Sequence, residues 1–200
     1  MSNFYNDGER PAEEEQSSVI RSKKRYETVQ KFLSTNSRVV VDFGCGLGYG
    51  YEIINPHVLS YIGIDKSKEV IEEARKKHKL DSLDSFCYIE KISDITAFSF
   101  NFFIALEVLE HLEKDEVENL LKIISVKGAP VYFTTPNGNF YPYHPETKEQ
   151  RHGHHIWHYT HEELEVLFRN YFNYVDIFAL EYDKNIDKFV TYGIYAKKEV

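Results

Sequence analysis

Two groups of residues in this sequence have the types and spacing for chemistry. The first is Asp42-Phe43-Gly44-Cys45-Gly46-Leu47-Gly48-Tyr49-Gly50, an acid followed by glycines on alternate positions. Glycines let the chain turn sharply and let a ligand lie against bare backbone amides. The spacing disfavours two common ligands. A dinucleotide fingerprint needs G-x-G-x-x-G, and in either register its third glycine falls on Tyr49 or Tyr51. There is no G-x-x-x-x-G-K-[ST] for a nucleoside triphosphate. The second group is Glu107-Val108-Leu109-Glu110-His111, joined later in the chain by His152, His154, His155, His158 and His161 with Trp157 and Tyr159. Carboxylates and imidazoles in this pattern suit proton transfer near neutral pH, histidine titrating at about 6.5 when unperturbed, or a divalent ion. Five histidines on an exposed loop are also compatible with no chemistry at all.

The elements that must position these residues are legible in the hydrophobic pattern. Val39 to Phe43 and Phe102 to Leu106 are continuously apolar, the mark of strands buried on both faces. Tyr61-Ile62-Gly63-Ile64-Asp65 is a strand ending in an acid at the place, about 20 residues past the glycines, where a ribose diol is gripped. Asp65 is assigned to that diol, because Ser67 is better placed than Asp65 to cap the helix expected over 67–77. Ser85 to Ile89 and Pro130 to Asn137 read as further strands, and Tyr49 to Ile54 begins a helix. Lys114 to Ser125 carries Val117, Leu120, Leu121 and Ile124 on one helical face. Thr160-His161-Glu162-Glu163 is a capping box that opens a helix to about Asn170, with Leu164, Leu167 and Phe168 inward. Tyr174 to Leu180 and Phe189 to Ala196 read as a hairpin joined by the polar turn Asp183 to Asp187. Residues 1–15 are expected to form a polar mobile arm, and a helix is expected from Gln16 to Leu33, with Arg21, Lys23, Lys24 and Arg25 on a solvated face or on a lid. Gly138 to His158 is a long irregular insert, of the kind that usually carries function.

The chain has 200 residues, 42% hydrophobic and 15% aromatic, which suits one globular domain, here 16–200. A net charge of −8 argues against a broad phosphate-binding surface. The two cysteines, Cys45 and Cys87, make no disulfide framework and fit a reducing, cytoplasmic compartment. No apolar segment long enough for a membrane span is visible, so no membrane partner is expected.

Four stretches, in order, resemble the motifs of class I S-adenosylmethionine-dependent methyltransferases. They are Arg25-Tyr26-Glu27, similar to an R-Y segment on the helix that caps the cofactor pocket; the acid followed by G-x-G-x-G; Glu107 to Leu112, similar to E-V-L-E-H-L; and the strand ending in Thr135-Pro136-Asn137, similar to T-P-N. The resemblance covers residues from Gln16 onward. Strands alternating with helices and then a hairpin give a Rossmann-like three-layer α/β/α sandwich, with a seven-stranded, mostly parallel sheet ending in an antiparallel hairpin. The resemblance implies S-adenosyl-L-methionine as cofactor, with contacts from Tyr26, Asp42, Gly44, Cys45, Gly46, Gly48, Asp65, Lys66, Ile92, Leu106 and Glu107. At the adenine position, where the family commonly has an acid, this chain has Lys91; Glu90 or Asp94 are the substitutes, and Ile92 packs on the ring.

For the acceptor, the resemblance implies His111, His155 and Glu110 as catalytic groups. His111 follows the strand end beside the methionine moiety, although a histidine there also serves as a helix cap. A histidine five residues before the helix cap, as His155 stands before Thr160, lines the acceptor pocket of small-molecule and sugar-type methyltransferases. In small-RNA 3′-terminal 2′-O-methyltransferases the equivalent histidine joins E-x-x-E-H around a divalent ion. Glu107, Glu110, His111 and His155 match that set, but His154 stands where those enzymes usually have an acid. Phosphate contacts call for Lys and Arg, so a hydroxyl or amine of a small-molecule or sugar-type acceptor is placed ahead of RNA. A bound divalent metal is the alternative, and a non-catalytic cofactor-binding regulatory protein is the reading from another class.

Overall fold

β1 (Val39–Phe43) lies at the centre of a seven-stranded sheet, and its burial explains its composition. Val41 and Phe43 enter the core on one face of the sheet, while Val40 enters the core on the other. β4 (Phe102–Leu106) behaves alike, with Phe103 and Ala105 on the first face and Phe102 and Ile104 on the second. Strands covered on both sides need apolar residues throughout, not in alternation. The computed structural model describes residues 12–140, 155–184 and 188–198, with the side chains of 12–19 outside that description.

β2 (Ser60–Asp65) and β4 flank β1, β3 (Ser85–Tyr88) adds beyond β2, and β5 (Val131–Pro136) beyond β4, all parallel. β7 (Lys188–Lys197) then pairs antiparallel with β5, and β6 (Tyr174–Asp183) antiparallel with β7. The order is β3-β2-β1-β4-β5-β7-β6. α1 (Ala12–Val29), the short α2 (Tyr51–Ile54) and α3 (Lys68–Lys77) cover one face through Tyr26, Val29, Tyr51, Ile54, Ile71 and Ala74. α4 (Lys114–Val126) and α5 (His161–Arg169) cover the other through Val117, Leu120, Leu121, Ile124, Leu164 and Phe168. The three-layer sandwich expected from the sequence is the observed fold.

The largest differences from the expected boundaries are in α1 and in the final hairpin. α1 starts at Ala12, four residues ahead of Gln16, and ends at Val29, followed by a 3₁₀ turn Gln30–Phe32. The run Ala12-Glu13-Glu14-Glu15 is strongly helix-forming, and acids favour a helix N-terminus, although its polarity hides it from a hydrophobic pattern. Residues 1–11 of the expected arm lie outside the described residues. β6 and β7 are also longer than expected, because they stay paired as far as Asp183↔Lys188. Leu167 is half-buried on the flank of α5, while Leu164 and Phe168 are fully covered. Of the insert, 141–154 lie outside the described residues, and with them His152 and His154. The two expected caps are present: Ser67 Oγ accepts from Val70 N, and Thr160 and Glu163 exchange the two bonds of a capping box.

Candidate functional site

The glycine loop, Asp65, Glu107, Glu110 and His111 lie at or just past the carboxyl ends of parallel strands, the edge where open α/β sheets bind ligands. At the end of β1, Gly44 N and Cys45 N donate to Ile64 O at 2.8 and 3.2 Å, tying the glycine loop to β2. Gly44, Gly46 and Gly48 have φ of 73°, 54° and 75°. At Gly44 a Cβ would also stand 2.6 Å from Val108 Cγ2, so the loop and the segment after β4 can meet only without a side chain there. Gly50 similarly leaves room for the Tyr26 ring, 2.3 Å from where its Cβ would be.

Asp65 closes the loop from the side. Its Oδ2 accepts from Gly46 N at 3.1 Å and its Oδ1 from Ser67 N at 2.9 Å. Burial raises its pKa above the usual carboxylate value, against the lowering by these N–H groups and Lys66. Asp42 is wholly buried, and its Oδ2 accepts from the hydroxyls of Tyr26 (2.8 Å) and Tyr61. Its Oδ1 is buried with no hydrogen-bond partner. Burial pushes its pKa up to about 7, although both tyrosine hydroxyls pull it down. Cys45 is buried beside it, its thiol pKa raised by desolvation and then by Asp42.

The remaining residues expected around the cofactor are more varied in their surroundings. The Lys66 ammonium is paired with Glu116 of α4 at 2.9 Å. Leu106 is half-buried at the end of β4, on the α1–α3 face. Ile92 is buried in the core on the α4 face. Glu90 and Lys91 are exposed, and both their amides donate to Asp94 Oδ2, at 3.1 and 3.0 Å. Asp94 therefore caps the 3₁₀ turn Ile92–Ala97.

Glu107 occupies the left-handed region at φ 55°, the one non-glycine residue to do so among the described residues. Thr134 fixes it there: Glu107 N donates to Thr134 O at 3.0 Å, and Thr134 Oγ1 donates to Glu107 Oε1 at 2.8 Å. Arg25 of α1 lies 3.3 Å from Glu107 Oε2 and forms a bidentate pair with Glu181 of β6 at 2.8 and 2.9 Å. Burial raises the pKa of Glu107, and Arg25 opposes that rise.

The acceptor-side groups converge. Glu110 has no exposed surface; its Oε2 accepts from Thr135 Oγ1 at 3.2 Å and its Oε1 is buried without a partner. Desolvation, and then the charge of Glu107, push its pKa well above the ordinary carboxylate value. The Glu110 carbonyl accepts from Ile156 N at 2.6 Å and Trp157 N at 3.3 Å. Those bonds draw the insert's end onto the segment after β4. In consequence the rings of His111 and His155, 44 residues apart in sequence, stand edge to face with centroids 4.7 Å apart. Donor atoms of Glu110, His111 and His155 all lie within 4.8 Å of one another.

Of the four residues the resemblance places around an ion, Glu110, His111 and His155 form this cluster, while Glu107 is bonded to Thr134 and paired with Arg25. Ligand atoms about 2.0–2.2 Å from a zinc-like ion stand roughly 3–3.5 Å apart, so the three remaining groups would hold an ion after a modest closure. The partners that set this geometry carry little signal in the sequence. Thr134 and Thr135 were visible only as part of a strand exit, and Glu181 had no local signal, being 156 residues from Arg25.

Two observations fit S-adenosylmethionine at the glycine loop: the partnerless buried Asp42 Oδ1, suited to an ammonium, and a loop whose close approach to Val108 leaves no space for a Cβ at Gly44. The comparisons with known proteins agree. Residues 16–176 match the family model described as "Methyltransferase domain". A ubiquinone biosynthesis O-methyltransferase of Coxiella burnetii is 26% identical over 123 residues, 60% of this chain and 52% of that enzyme. The matched stretch spans about half the length of that curated relative. A crystal structure of a SAM-dependent methyltransferase from Archaeoglobus fulgidus superposes with a TM-score of 0.71 at 17% identity, covering 90% of this chain and 94% of that one. The methyltransferase domain of bacterial CtHen1 gives 0.67 at 23% identity, covering 88% and 98%. The two superpositions carry the fold, and the family match carries the lineage: the chain belongs to the class I S-adenosylmethionine-dependent methyltransferases.

Proposed function

We propose that the protein transfers a methyl group from S-adenosylmethionine to a hydroxyl of a small-molecule or sugar-type acceptor, with an amine as the other acceptor atom this site could serve. The observation that carries the reading is the meeting of His111 and His155 beside buried Glu110, on the sheet edge that also holds the glycine loop. When bound, the cofactor supplies an electrophilic methyl group on a sulfonium. The residues then have three tasks. Asp65 would hold the ribose of the nucleoside half, and Gly44, Gly46, Asp42 and Glu107 would face the charged methionine half. His111 or His155 would take the one proton that leaves the acceptor as its oxygen displaces the neutral thioether from the methyl carbon, a contribution typically worth about 10²–10⁴ in rate. The O-methyltransferase relative and the net charge of −8 support a small acceptor over a polyanion.

The test is transfer of labelled methyl to a panel of catechols, sugars and single-stranded RNA, in chelator and with added Mn²⁺. Full transfer to a small acceptor in chelator is the expected result, with His111→Ala and His155→Ala lowering kcat and sparing cofactor affinity. A second reading is favoured by the Glu110, His111 and His155 cluster. In that reading a divalent ion assists methylation of an RNA terminus, and activity vanishes in chelator and returns with the metal. Cofactor binding with no transfer to any acceptor would support the regulatory reading.

A further inference from the structure

His158 has no role in the reaction as described so far, yet its geometry is specific. It is 2% exposed, and its Nε2 lies 2.5 Å from Nδ1 of His155, the two ring centroids 4.8 Å apart. At that separation one nitrogen must donate and the other accept. Buried polar groups are almost always hydrogen-bonded, so a structural histidine would also find a partner. What distinguishes this one is where each ring is anchored. The His155 end of the insert hangs from the Glu110 carbonyl through Ile156 N and Trp157 N. The His158 end is locked to the exit of β5, where Gly138 N donates to Tyr159 O at 2.9 Å and a Cβ on Gly138 would stand 2.5 Å from His158 O. Directly after it, Thr160 caps α5. His158 thus joins the sheet's rigid frame to an imidazole that approaches His111.

We propose that His158 is a positioning residue: its Nε2 accepts from Nδ1–H of His155, fixing the ring angle and the tautomer in which His155 Nε2 is the basic nitrogen turned to the acceptor. The inference rests on the reading that His155 serves the acceptor. In the opposite tautomer His155 would present N–H at Nε2 and could neither take a proton nor ligate an ion through it. The arrangement parallels the general rule that the second hydrogen bond of a functional imidazole decides which nitrogen does the work.

The test uses the full chain labelled with ¹⁵N-histidine, read by long-range ¹H–¹⁵N correlation at about pH 8, where histidine is mostly neutral. His155→Gln identifies the His155 signals. Wild type should show His155 protonated at Nδ1 and bare at Nε2. His158→Phe should abolish that preference, whereas His158→Gln, whose Oε1 can accept the same hydrogen, should restore it. His158→Asn, too short to reach Nδ1, should behave like the Phe variant, and serves in its place if the larger ring prevents folding. A wild-type His155 protonated at Nε2, or a tautomer unchanged in both His158→Phe and His158→Asn, overturns the proposal. S-adenosylhomocysteine titrations on the same samples keep the two readings apart. Absent binding in wild type would sink the methyltransferase reading while leaving the tautomer result to stand on its own.

Discussion

Asp42 is a carboxylate placed where it is costly to ionise. Raised from 3.8 to about 7 by burial, it binds a proton more tightly in the folded than in the unfolded chain. Its contribution to stability is therefore fully present below about pH 3.8 and is lost as the pH rises through about 7. At about 1.4 kcal/mol per pKa unit, that gap amounts to roughly 4 kcal/mol. Asp42→Asn should remove this slope, so denaturant melts between pH 4 and 8 should show wild type losing stability relative to the variant as pH rises; parallel curves would refute the burial argument. An ammonium beside Asp42 Oδ1 favours the charged carboxylate. Cofactor binding near neutral pH should then expel a proton, visible as a calorimetric heat that changes with the buffer's ionisation enthalpy. Gly44→Ala belongs to the same scale. A side chain at φ 73° and 2.6 Å from Val108 should cost about 1–3 kcal/mol and weaken S-adenosylhomocysteine binding in isothermal titration.

Among the elements, α1 is the one whose attachments matter for function. Tyr26 reaches Asp42 at the glycine loop, and Arg25 reaches Glu107 after β4 and Glu181 on β6. Phe32, just past the helix, packs its ring on Tyr132, Tyr195 and Phe178 at 5.0, 4.9 and 5.8 Å. Arg25→Ala would leave two covered carboxylates facing each other and should cost about 3–5 kcal/mol, measurable by denaturant titration. Hydrogen exchange over 20–33 should slow when S-adenosylhomocysteine binds; equal exchange in both states would leave α1 a structural cover only. Much of this scaffold could be read in the sequence. β1, β4 and β5 announce themselves because burial on both faces selects mostly apolar residues, and Ser67 and Thr160 are caps whose partners lie three residues away. His111 and His155 could be matched because strand order sends both to one edge. The Arg25–Glu181 pair could not, since nothing local distinguishes Glu181 from any other charge on a strand. Spacing alone also does not reveal that Thr134 and Arg25 hold Glu107.

At the scale of the molecule, the net charge is −8, and transfer to RNA should be weak at any ionic strength if the small-acceptor reading holds. None of the described helices is long and apolar enough to cross a membrane. The sheet order has a further consequence. β7 lies between β5 and β6, so β5 finds its outer neighbour only when Thr135 meets Tyr192, far along the chain. Until then Val131-Tyr132-Phe133, buried in the finished protein, forms an uncovered apolar edge of the kind that templates intermolecular pairing. Production of the chain is thus a race between hairpin docking and self-association. A version cut after Asp183 should lose that race, yielding inclusion bodies or soluble multimers in size-exclusion chromatography, and adding a peptide spanning 188–198 during refolding should recover monomer.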